Sequence, residues 1–297
     1  MRTDKISAFA TEYLSTGTIQ GCGIIDMHGH WGPYGGAYLP CASEEKMLQS
    51  AGRQGVVKTV CSSHRALFGD PVMGNREMIE AAQRHPDELA AYYSVNPNYP
   101  ELSSLAVETV ANHRNCVVGY KLLPDYHTYP LTGERYAFAL EHANDKNLVV
   151  LSHTWGSSNF NSPSMFRKIC EKYPGAIFIM GHSGYGEWEQ SIQTARDLSN
   201  VYMDLTAVWS AHDFAMLPAG SGSPLPLVSC LHVNGIIERM VKQAGSSKIV
   251  FGTDMPWYSP SFAAGTVLFA RIDDTDKRNI LRGNAEKILL QSSRTGK

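Results

Sequence analysis

The stretch Ile24–Gly32, "IIDMHGHWG", sets two histidines two positions apart at the end of an apolar run, then gives way to "GPYGG". It is the first of eight similar runs. The others are "GVVKTVCSS" (55–63), "LAAYYSVNP" (89–97), "CVVGYKLLP" (116–124), "LVVLSHT" (148–154), "AIFIMGHS" (176–183), "VYMDLTA" (201–207) and "KIVFGTDMP" (248–256). Short continuous apolar runs are what parallel strands covered on both faces look like. Between most of them lie segments of helical character, such as "GNREMIEAAQRHP", "ELSSLAVETVANH" and "EWEQSIQTARDLS". "SPSMFRKICEKYPG" and "SPSFAAGTVLFARI" open with Ser162–Pro163 and Ser259–Pro260, a serine N-cap followed by proline at the first helical position. Eight strands alternating with helices predict a (β/α)8 TIM barrel. An open doubly wound sheet is the alternative, and it would rarely need eight strands. No break in composition marks a second domain, so the expectation is a single barrel over 21–297, with 1–20 as an N-terminal extension forming a helix packed on it.

Composition bounds the function. The chain has 297 residues, 43% apolar and 18% charged, with a formal net charge of -2. No basic stripe points to nucleic acid, and no apolar stretch approaches the ~18 residues of a membrane span. "MRTDKISAFATEYL" lacks the apolar core of a secretory signal. The six cysteines are scattered without a Cys-x-x-Cys pair, and read as free thiols in a reducing cytoplasm. The expected partner is therefore a small-molecule substrate, with homo-oligomerisation left open.

The histidines sort by position. His85, His113, His142 and His232 fall in helical segments and read as structural. His28, His30, His153 and His182 fall at or just past strand ends, and strand 8 delivers Asp254 in "FGTDMP". In a (β/α)8 barrel those ends converge on the face where active sites are built. Residues i and i+2 of a strand share a side, roughly 7 Å apart, so two imidazoles can reach one ion. Imidazoles with one carboxylate suit Zn2+ first, and Mn2+, Fe2+ or Co2+ less well. Three connections are long, 63–74, 124–133 and 211–230, and read as loops over the barrel mouth.

These stretches, with "GYKLLPDYHTYPL" and the closing "NILRGNAEKILL", resemble the amidohydrolase superfamily. The likeness is to the branch that also holds aminocarboxymuconate-semialdehyde and related aromatic-acid decarboxylases, and it covers about residues 21–290. It implies a distorted (β/α)8 barrel with His28, His30, His153 and Asp254 as metal ligands. Asp254 would also be the general base, and His182 would polarise the substrate carbonyl or hold water. The resemblance favours one ion over two; with two, His182 and Lys121 become ligands. Lys121 ends strand 4 in an apolar setting. It reads as a carbamylated bridge, as a cation contacting substrate, or as a structural ion pair with Asp204 or Asp26. Many relatives carry histidine where this chain has Leu123, and His127 is a candidate to fill that space.

The leading expectation is hydrolysis of a small ester, lactone or amide by a metal-activated water. The alternative is non-oxidative decarboxylation of an aromatic or unsaturated acid, with Arg65 as a candidate carboxylate contact. A non-catalytic metal-binding barrel is a third reading, disfavoured because every ligand position is filled. Candidate substrate contacts are Arg65, Tyr126, His127, Trp155, Tyr185 and Trp257, with Trp31, Tyr34, His64 and His212 also near the mouth. "GHSGYG" is no nucleophile elbow, because Tyr185 stands where the second glycine is required.

Overall fold

Eight parallel strands pair in chain order: β1 Ile24–Trp31, β2 Val56–Ser63, β3 Leu89–Val95, β4 Val117–Leu122, β5 Val149–Trp155, β6 Ile177–Tyr185, β7 Val201–Asp204 and β8 Ile249–Val250. The computed structural model describes residues 7–208 and 235–293. Three backbone bonds bring the ends of the sheet together: Met27 N to Phe251 O (2.9 Å), Asp254 N to His28 O (2.8 Å) and His30 N to Met255 O (2.7 Å). Those bonds nearly close the sheet into a TIM barrel, as the strand count predicts.

The interior is filled by Ile25, Met27, Val60, Tyr92, Val149, Leu151, Ile179 and Val250. Ala285 and Ile288 of the helix Asn284–Ser293 join this cluster, and Arg282 Nη1 donates to Gly23 O ahead of β1. A second, larger cluster lies between the strands and the outer helices, with Met47, Met78, Val110, Leu140, Phe166, Ile192 and Met240 fully buried. Strands buried on both faces account for the continuous apolar runs.

Local chemistry sets the element ends. Asp70 caps the helix Pro71–Arg84 by accepting from Val72 N and Met73 N. The serines ahead of Pro163 and Pro260 behave otherwise. Ser162 and Ser259 hold the cap positions, but their hydroxyls pair with Ser164 and Ser261 instead of the backbone. The helix Glu44–Arg53 between β1 and β2 was not among the predicted segments. Helix Ala8–Thr16 precedes the barrel, with Phe9 and Ala10 buried and Ser7 capping it. Strand 8 is much shorter than its apolar run, so Asp254 lies four residues beyond it in irregular backbone. The connection 211–230, with His212 and Cys230, and His232 beyond it, lie outside the described residues; the other five cysteines are free thiols.

Candidate functional site

The ends of β1, β4, β5 and β6 and the turn after β8 surround a cavity of about 240 Å3. Its polar lining is His30, Lys121, His153, His182 and Asp254, and its apolar wall includes Tyr34, Phe68, Leu123, Tyr126, Trp155 and Trp257. His28 lies directly beneath, fully buried.

Gly29 makes the His28–His30 arrangement possible. A Cβ there would meet Thr59 Cγ2 at 2.6 Å and Cys61 Sγ at 2.9 Å, so a side chain would push β1 off β2. The β1–β2 register also shifts between Asp26 and Gly29. The two imidazoles end with centroids 5.5 Å apart. Asp254 is brought to them by Asp26, whose carboxyl accepts from Thr253 N (3.1 Å) and Thr253 Oγ1 (2.5 Å). Asp254 itself has φ +62°, and His182, Ser183 and Gly184 are consecutively left-handed. Non-glycine residues adopt that region at a cost and cluster at functional sites.

Three histidines have a defined partner at Nδ1, and two of them a settled tautomer. His28 Nδ1 faces Asp204 Oδ2 (2.7 Å), His153 Nδ1 faces Asp125 Oδ2 (3.1 Å), and His182 Nδ1 faces Thr206 O (3.2 Å). Carboxylates and carbonyls only accept, so in His28 and His182 Nδ1 carries the hydrogen and Nε2 is a bare lone pair. At His153 the amide of Asn161 also approaches Nδ1 (3.0 Å) while donating to His153 O (2.7 Å), and its two hydrogens can serve both. Burial pushes the imidazoles of His28 and His182 well below their ordinary range, reinforced by Lys121 at His28 and by His153 at His182. His30 is lowered by burial too, with Asp254 resisting. Burial works to raise the Asp254 carboxyl, but His30 first, then His28 and His182, hold it well below the usual carboxylate range.

His28, His30 and Asp254 each offer one ligand atom, all within 4.8 Å of one another. Asp254 Oδ1 lies 2.9 Å from His30 Nε2 and 3.5 Å from His28 Nε2, yet it is buried without a hydrogen-bond donor. Converging acceptors with an orphaned carboxylate oxygen fit a divalent cation. Lys121 Nζ is the neighbouring donor, 2.6 Å from His28 Nε2, and burial lowers its pKa to about 8.

Several sequence expectations land elsewhere. His153 lines the cavity but lies outside the three-residue group; its ring stacks on Trp155 and stands 4.7 Å from His182. Lys121 makes its hydrogen bond to His28; Asp26 is engaged by Thr253 and His28 N, and Asp204 by His28, His182 N and Thr206 N. Arg65 is turned outward to Glu77 (2.6 Å) and Asp70, and does not line the cavity. His127 is buried against Leu67 O (2.8 Å), and Tyr185 stacks behind Trp155 at 4.6 Å. Tyr126 and Trp257 do line it. Sequence reasoning missed Asp125, Asn161 and Phe68. Asp125 carried a usable signal, standing three residues past the end of β4.

Fold and site together define a (β/α)8 barrel with a buried histidine–aspartate centre at the C-terminal ends of its strands. The amidohydrolase family model matches residues 25–290, and the chain belongs to that family. A search of curated proteins found no match. Among solved structures, an uncharacterised TIM-barrel protein from Bordetella bronchiseptica is similar at 16% identity, covering 91% of this chain and 99% of that one, with a TM-score of 0.70. A manganese complex of 5-carboxyvanillate decarboxylase from Novosphingobium aromaticivorans has 13% identity, coverage of 91% and 97%, and a TM-score of 0.64. A 2,6-dihydroxybenzoate decarboxylase from Rhizobium has 12% identity, coverage of 91% and 99%, and a TM-score of 0.63. At such identities the likeness is one of fold.

Proposed function

We propose that the protein is a metal-dependent hydrolase of a small ester, lactone or amide. The observation that carries this reading is the polarity of the site. The settled imidazoles turn bare Nε2 atoms inward, and Asp254 is held as a carboxylate. Such a wall accepts protons, as the attack of water on a carbonyl requires. His28, His30 and Asp254 would hold the ion, Zn2+ in first place, and a divalent ion bound there supplies Lewis acidity toward the substrate oxygen. Asp254, or His182 Nε2, takes a proton from the attacking water. The water oxygen bonds to the carbonyl carbon, the bond to the leaving group breaks, and the proton returns to that group. Lys121, the one lysine or arginine lining this cavity among the described residues, faces the negative charge that develops. Tyr126, Trp155 and Trp257 form the wall against the substrate's apolar part.

A second reading has its own support. Lys121 at the cavity floor could hold a carboxylate, and two of the similar structures are named decarboxylases. Decarboxylation would need a group that protonates carbon, and the bare Nε2 atoms of His28 and His182 carry no proton to give. The test is a panel of lactones, esters and amides, followed by acid release, beside aromatic acids followed by CO2 release, with the protein loaded with Zn2+ or Mn2+. Acid release lost in Asp254→Asn supports hydrolysis. CO2 release without acid release overturns it.

A further inference from the structure

His64 is buried at the end of β2 and takes no part in the chemistry above. Both of its nitrogens are used. Nδ1 donates to Gly32 O in the loop after β1 (2.7 Å), which leaves Nε2 to accept from Trp257 Nε1 in the loop after β8 (2.8 Å). Its ring lies face to face with His30, 4.8 Å between centroids and 5° from parallel. Trp257 is tied at its other end, where its backbone N donates to Asp254 O (2.9 Å). Trp257 is 37% exposed and its indole packs on Tyr34 at 4.9 Å, so without His64 the side chain would be held only by apolar contact.

We propose that His64 is a positioning residue with two separable jobs: its flat ring fixes the plane of His30, and its Nε2 fixes the indole of Trp257 as a wall of the cavity. A neutral histidine carries a donor and an acceptor at two separate positions of one flat ring. Hydrogen-bonding groups behind a metal ligand change metal affinity by about 10–100-fold when lost, and a stacked ring is expected to act at the lower end of that range. The first job rests on the reading of His30 as a ligand, and the second does not.

Two variants separate the jobs. His64→Phe keeps a flat ring but no acceptor, whereas His64→Gln keeps an acceptor but no ring. Solvent exchange of the Trp257 indole hydrogen is followed by NMR on tryptophan-labelled protein, with Trp257→Phe identifying the resonance. Mn2+ affinity is followed by electron paramagnetic resonance. In His64→Phe we expect indole exchange to quicken about tenfold and Mn2+ affinity to stay within about threefold. In His64→Gln we expect a protected indole and Mn2+ affinity weakened about tenfold. A role in folding alone would move both readouts together in each variant, and that result overturns the proposal, as does no change in either. If native protein takes up no Mn2+, the metal reading fails while the indole arm still decides the second job. Each variant tests one job alone, so failure of one to fold leaves the other decisive.

Discussion

In the proposed reading Asp254 carries more of the chemistry than any other side chain, because it is both a ligand candidate and the candidate base beside two imidazoles. Asp254→Asn keeps the shape and removes the charge. We expect retained metal to fall at least tenfold and turnover by about 10²–10⁴-fold, read by elemental analysis and by the rate on any substrate the panel identifies. Gly29→Ala tests the approach of β1 to β2. The added methyl overlaps Thr59 and Cys61, and overpacking of this kind costs about 1–3 kcal/mol, visible as a lowered Tm. The histidine pair was legible in "IIDMHGHWG" because a strand's alternation is local. The hydrogen-bond partner that orients it was not. His28 reaches Asp204 across 176 positions of chain, and nothing in either segment announces that bond. Arg65 shows the converse failure. It stands in the right loop, but Glu77 and Asp70 draw it outward.

The strands and their connections carry the second layer of the design. All eight strands could be read from apolar runs, since burial on both faces leaves a strong mark on composition. Strand 8 could not be bounded that way. "KIVFGTDMP" reads as one run, whereas pairing stops at Val250 and the rest becomes a turn pinned by Thr253 to Asp26. Hydrogen-bond partners, not apolarity, decide where that ladder ends. Thr253→Val therefore removes two bonds of its hydroxyl, to Asp26 Oδ2 and from Met255 N, and leaves a buried acceptor and a buried donor unmatched. The expected cost is about 1–3 kcal/mol in chemical denaturation, with weaker metal retention because Asp254 is the next residue.

Burying this many ionisable groups, most of them at the barrel mouth, shapes the stability of the metal-free protein. Burial lowers the pKa of His28, His30, His64, His127, His142 and His182, that of His64 to about 3. A histidine lowered in the fold stabilises above its unfolded pKa of ~6.5, and that contribution is lost as pH falls. Asp26, raised by burial to about 7, and Asp204, also raised, act in the opposite sense, and their contribution is lost as pH rises from about 4. Six groups outweigh two, so the urea midpoint of chelator-treated protein is expected to fall between pH 7 and pH 5. A midpoint that rises over that interval would show the carboxyls in control. No helix among the described residues is long and apolar enough to cross a membrane.

The central claim is that His28, His30 and Asp254 form a binding site for a divalent ion. Anomalous diffraction from crystals grown with Mn2+ tests it directly. The expected result is one strong peak within bonding distance of His28 Nε2, His30 Nε2 and Asp254 Oδ1, with Lys121 Nζ moved away from His28. Density showing Lys121 still bonded to His28, with no peak among the three ligands, would contradict it.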